Sequence, residues 1–124
     1  MKRLFIAALA LGLAACAGDS TSPTVGLNGD FTLRTVNGQG LPFTFSDGTT
    51  VTSDVLTFFT DGTFSESIQL ADGQIVVDQG EYSDSNGSIQ LFDETLGVQY
   101  SASLSGSVLT AFFNNGLTEV FQKR

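Results

Sequence analysis

The 124-residue chain has no histidine, no tryptophan, one cysteine and two prolines, and it sets five Lys and Arg against thirteen Asp and Glu. Without histidine, the commonest general base at neutral pH and the commonest metal-binding imidazole are both missing. A lone cysteine neither closes an intrachain disulfide nor builds a thiolate cage. Catalytic triads, zinc centres and haem centres are therefore not expected, and the sequence points to no metal and no cofactor. A net charge of −8 and a pI near 4.1 oppose binding to a phosphate backbone, which requires clustered Lys or Arg to release counterions. Nucleic acid is not an expected partner. Charged residues are only 15% and apolar residues 41%, too apolar a balance for charge-driven disorder. What is abundant, 14 Gly and 11 Phe among many Ser and Thr, favours short strands and tight turns.

The first segment reads as an address. Lys2 and Arg3 precede Leu4 to Ala14, a run without a charge, which is the pattern of a secretory signal peptide. The run falls short of the roughly 17–25 apolar residues that a spanning helix needs. Leu13-Ala14-Ala15-Cys16 then resembles the lipobox of bacterial lipoproteins. The resemblance implies cleavage after residue 15 and lipidation of Cys16. The alternative is an ordinary signal peptide that leaves a free thiol. More than one acyl chain makes such attachment stable, each buried CH₂ adding about 0.8 kcal/mol. Ala17 stands where inner-membrane retention usually shows Asp, so the resemblance implies a lipid anchor in the bacterial cell envelope, at the outer membrane and facing the periplasm. The membrane is thus one expected partner, reached through the lipid. Residues 16–27 are small and polar around Pro23 and read as a flexible tether.

From residue 28 to 124 the chain reads as one all-β domain. Asn37-Gly38, Asp47-Gly48, Asp61-Gly62, Asp72-Gly73, Asn86-Gly87, Ser105-Gly106 and Asn115-Gly116 recur at strand spacing and supply the positive φ that tight hairpins need. Between them lie runs rich in Val, Ile, Phe, Thr and Tyr. No window beyond the signal segment carries a helical apolar stripe. Strands are predicted near 30–36, 42–46, 51–60, 63–71, 74–83, 88–93, 98–105, 108–114 and 117–123. Counting outward from Asp61-Gly62 pairs Thr57 with Glu66, Phe59 with Phe64 and Val55 with Ile68. That register places Val55, Phe59, Phe64, Ile68 and Leu70 on one apolar wall. Val98, Tyr100, Ala102 and Leu104 alternate in the same way.

An open meander of this length leaves two strand edges exposed, and closure removes them. The expected architecture is an eight- to nine-stranded antiparallel up-and-down barrel, whose interior holds side chains or one small ligand. Gly29-Asp30-Phe31 resembles the Gly-x-Trp opening of lipocalins, with Phe in place of Trp. In that family an arginine near the last strand packs on the tryptophan, and Arg124 or Lys123, at the very terminus, is its loose counterpart here. Leu33 to Pro42 and Leu56 to Phe64 are similar to segments of small bacterial lipocalin-like lipoproteins. The resemblance implies a barrel that binds a small hydrophobic or amphipathic molecule, without catalysis.

Three interior residues are candidates for contacting such a ligand. Glu66 is in phase with Phe64 and Ile68, and Glu119 alternates with Leu117 and Phe121. A carboxylate facing an interior without a cation has its pKa raised by desolvation. The other account of both acids is a solvated rim or a bulge that turns them outward. Tyr100 lies on the Ala102 side, either lining a cavity or packing in the core. Arg34 is out of phase with Phe31 and Leu33. Asp93-Glu94 and Asp78 with Glu81 fall near strand ends and turns, where solvated acids are ordinary. Asp84 to Ser88 reads as a hairpin turn. Two further roles stay open: a structural or interaction lipoprotein with a filled barrel, and an acid-dependent hydrolase, which requires two interior carboxylates close together.

Overall fold

The computed structural model describes residues 27–124. The expected signal peptide, Cys16 and the expected tether up to residue 26 lie outside them. Leu27, the first of the described residues, is buried in the core.

Ten strands form: β1 (Gly29–Val36), β2 (Gln39–Gly40), β3 (Phe43–Thr44), β4 (Thr50–Phe58), β5 (Thr63–Leu70), β6 (Ile75–Ser85), β7 (Ser88–Asp93), β8 (Val98–Ser105), β9 (Val108–Phe112) and β10 (Thr118–Lys123). No helix occurs among the described residues. From β4 to β10 each strand pairs antiparallel with its sequence neighbour. β1 pairs with both β10 and β4 and thereby closes an eight-stranded barrel. The short strands β2 and β3 extend from β1 and β4. Closure leaves no free edge around the cylinder.

The glycines of all seven turn signals lie between strands, and the turns are of three kinds. Asn37-Gly38 and Asn86-Gly87 both take positive φ at the Asn and at the Gly, the signature of a type I′ hairpin. Gly106 alone is positive in its two-residue turn. The loops at 45–49, 59–63, 70–74 and 113–117 share a different design. In the second of these, Phe59 N–H donates to the Thr63 carbonyl at 2.9 Å, Gly62 N–H donates to the Phe59 carbonyl, and Asp61 Oδ1 accepts from Thr63 N–H at 3.0 Å. Asp47, Asp72 and Asn115 accept the same backbone bond in the other three loops. Asp or Asn therefore fixes the turn while the following Gly takes the left-handed position.

This three-residue geometry corrects the expected register of the β4–β5 hairpin. Phe58 faces Phe64, Leu56 faces Glu66 and Asp54 faces Ile68, one residue away from the predicted pairs. A slip of one residue exchanges the two faces of a strand. Phe59 is exposed and Val55 lies outside the core, while Leu56 and Phe58 are buried. A bulge between Val51 and Ser53 adds the second shift of phase, so the inward set of β4 is Val51, Asp54, Leu56 and Phe58. A similar irregularity between Leu33 and Thr35 makes Val36 follow Leu33 inward and leaves Arg34 exposed.

One half of the interior is aromatic and aliphatic. Phe31, Phe58, Phe64 and Phe121 are at most 1% exposed. Phe31 meets Phe58 edge-on at 5.8 Å, and Phe58 meets Tyr82 edge-on at 5.0 Å. Lys123 lies with its ammonium 5.6 Å from the Phe31 ring centre and donates to the Asn28 carbonyl at 2.7 Å, so it is the cation that the Gly29-Asp30-Phe31 resemblance implies. Gly80 of β6 faces Phe64, and the Phe64 ring occupies the place of a side chain there.

Candidate functional site

Toward the opposite end of the barrel the inward positions change from apolar to acidic. Glu66 of β5 lies between Leu56 of β4 and Asp78 of β6 in the sheet. Asp54 precedes Leu56 on the inner face of β4, and Asp93 ends the inner series Ile89, Leu91 and Asp93 of β7. Glu119 enters from β10 beside Ala111, which pairs in turn with Ala102. Small neighbours there leave the carboxylate room to point inward. Asp54, Glu66, Asp78, Asp93 and Glu119 are all at most 8% exposed.

The structure thus resolves the two accounts of Glu66 and Glu119: both face the interior. It also overturns the placing of Asp78 and Asp93 among solvated acids near turns, since each is 2% exposed. Asp93 is held by its own turn, where its Oδ1 accepts Leu96 N–H at 3.0 Å. Its in-phase position after Ile89 and Leu91 is a signal the sequence does carry. Asp54 offers no comparable signal, because its face depends on the β4 bulge and on the loop geometry. Tyr100 is 6% exposed, and its ring stacks on Phe113 at 4.3 Å. Its charged neighbours are Glu66, Asp93, Glu119 and Asp54, so its phenol belongs to the same cluster.

Ligand-capable oxygens of Asp54, Glu66 and Glu119 all lie within 4.8 Å of one another, and those of Glu66, Asp78 and Asp93 do likewise. Glu66 is common to both groups. A protonated Glu66 donates a hydrogen bond to Asp54, and a protonated Asp78 donates to Asp93. Burial pushes Asp54 up to about 7 against the lowering effect of its bond from Glu66, with the charges of Glu119 and Asp78 adding to the rise. Burial and the neighbouring Asp54 carry Glu66 well above the ordinary carboxylate value. Asp78 rises to about 6 through burial and Asp93, and Glu119 to about 8 through burial and Glu66. Burial first, and then the four surrounding carboxylates, raises the Tyr100 phenol. No described cation relieves the cluster. Arg34 is exposed, Arg124 lies 3.7 Å from Asp30, and Lys123 is engaged at Phe31 and Asn28.

Around the acidic end, Leu41, Phe43, Phe45, Phe113 and Leu117 pack as half-buried apolar groups, with Phe43 and Phe45 edge-on at 4.9 Å. An open hollow of about 730 Å³ lies at the other, aromatic end, lined by Asn28, Gly29, Thr57 and the Phe58–Asp61 turn. It contains none of the five acids.

No family model and no curated protein matches this chain. Solved structures do. A lipocalin-like protein from Bacteroides uniformis is 24% identical, with a TM-score of 0.56 over 80% of this chain and 99% of its own. An uncharacterized protein from Bacteroides eggerthii is 16% identical, with a TM-score of 0.52 over 79% of this chain and 99% of its own. Identities this low speak for the fold, and that fold, a closed eight-stranded up-and-down antiparallel cylinder with two additional short strands, is the lipocalin-like barrel.

Proposed function

We propose that this protein is a lipid-anchored envelope protein whose barrel takes up a small amphipathic molecule at its acidic end. The observation that carries the reading is the division of the interior. One half is closed by phenylalanines, while the other turns five carboxyl groups and a phenol inward where a filled barrel would place apolar side chains. Burying polar groups without full pairing costs free energy, and a binding site is a common reason to retain them. The half-buried Leu41, Phe43, Phe45 and Phe113 supply an apolar rim for the rest of the molecule. Few convergent polar groups within an apolar surround is the usual composition of a ligand site.

Support for the anchor comes from the sequence alone, through Leu13-Ala14-Ala15-Cys16 behind an uncharged run. The role is binding rather than turnover. Native mass spectrometry of the protein purified from its own host, after removal of the lipid, tests it. A co-purifying small molecule that is lost in Glu66→Gln or Glu119→Gln is the expected result. An unliganded mass in repeated preparations would overturn the reading in favour of a structural or interaction role.

A further inference from the structure

The acidic cluster poses a charge problem that an organic ligand does not have to solve. Five buried carboxyl groups face the interior at one end of the barrel with no described cation facing them. Proton sharing accounts for part of this, since Glu66 bonds to Asp54 and Asp78 to Asp93. It leaves Asp54 Oδ1 and Asp78 Oδ1 buried without a hydrogen-bond partner, on side chains only 4% and 2% exposed. A buried carboxylate oxygen without a partner forfeits its hydration and gains nothing in return. The Tyr100 phenol, also more than nine-tenths buried, feels the charges of Glu66, Asp93, Glu119 and Asp54.

The spacing suits a metal ion. Ca²⁺ binds oxygens at about 2.3–2.6 Å, so ligands on opposite sides of one ion stand about 4.6–5.2 Å apart. Both three-carboxylate groups fall within that span, with every ligand oxygen inside 4.8 Å of the others. The donors are all oxygen, with no imidazole or thiolate among the described residues, which selects a hard cation over zinc or copper. Mg²⁺ gives up its water reluctantly and demands strict octahedral geometry, whereas Ca²⁺ accepts irregular, carboxylate-rich shells.

We infer that the barrel interior binds Ca²⁺ through Glu66, together with Asp54 and Glu119 on one side or Asp78 and Asp93 on the other. An ion in either group gives the orphaned aspartate of that group, Asp54 or Asp78, a partner and offsets two of the negative charges. Glu66 belongs to both groups, so it is the ligand on which the site depends. This goes beyond the proposed uptake of an organic molecule and does not require it.

The full chain, purified in detergent and stripped with chelator, is titrated with Ca²⁺ by calorimetry and with Tb³⁺ by luminescence excited through tyrosine. With no tryptophan in the chain, a tyrosine is the antenna, and Tyr100 is the one beside the cluster. The expected results are saturable Ca²⁺ binding, displacement of Tb³⁺ by Ca²⁺, and affinity weakened about tenfold or more in Glu66→Gln through loss of a charged ligand. Asp72→Asn, at an exposed turn, should bind as the wild type does. Tyr100→Phe should lose most sensitised emission. Circular dichroism confirms that each variant is folded. An absence of Ca²⁺ binding by the wild-type chain overturns the inference, as does equal affinity in Glu66→Gln, which would assign the ion to surface acids.

Discussion

Raising the pH should weaken this barrel, the reverse of what paired surface carboxylates do. Glu119, ordinarily near 4.5, is held by burial and by Glu66 at about 8 in the folded chain. Between those values the native state keeps a proton that the unfolded chain has released. Stability therefore falls as pH rises wherever the native state binds more protons. The contribution is largest below 4.5, declines across the window, and is exhausted above about 8. At about 1.36 kcal/mol per pKa unit, Glu119 alone accounts for about 3–4 kcal/mol between pH 5 and 8. Asp54, at about 7, and Asp78, at about 6, act in the same direction. Against a typical domain stability of about 5–15 kcal/mol, a loss of this size is large. Since about 1 kcal/mol moves the midpoint of a domain this size by about 4–8 °C, the melting temperature should drop by about 15 °C or more. Urea unfolding at pH 5 and pH 8, in chelator so that no cation compensates, measures the effect. Glu119→Gln carries an uncharged amide at both pH values, so its stability should decline less and exceed that of the wild type at pH 8. Stability that is flat or rising from pH 5 to 8, or an unchanged slope in Glu119→Gln, would refute the interior placement of these acids as the cause.

Two further perturbations address the barrel wall and the anchor. A Cβ added at Gly80 would collide with the Phe92 carbonyl and lie 2.8 Å from the Phe64 ring, so Gly80→Ala should destabilise by about 3 kcal/mol or more through overpacking, read as a lower urea midpoint at pH 5. Wild-type stability in that variant would show that β6 and β7 can separate at no cost. Cys16→Ser should release the protein from membranes in a fractionation experiment without altering its unfolding midpoint, because β1 begins at Gly29, well beyond Cys16; continued membrane attachment would contradict the proposed lipid anchor.

Much of the fold is local and therefore legible in the residues themselves. Asn-Gly and Asp-Gly pairs impose positive φ wherever they occur, so the positions of the turns, and with them the strands between, follow from sequence. Closure follows from the cost of free edges. The alternation of Glu119 with Phe121, and of Tyr100 with Ala102, puts these side chains in phase with apolar neighbours before any strand is paired, and burial in the closed barrel decides that the phase is the inner one.

The facing of β4 is different in kind. Its inward set depends on a three-residue loop at 60–62 and on a bulge at Val51–Ser53. Each shifts the phase by one residue, and neither is marked in the residues that carry it. Asp54 was hidden by that shift. Asp78 and Asp93 were hidden by their nearness to turns, although β5 and β8 cover them in the sheet. Bringing Asp54, Glu66, Asp78, Asp93 and Glu119 into one cluster is a property of the closed cylinder, which joins β10 through β1 to β4. Distance between strands far apart in sequence is set by the number of strands and their stagger, and no short-range pattern encodes it.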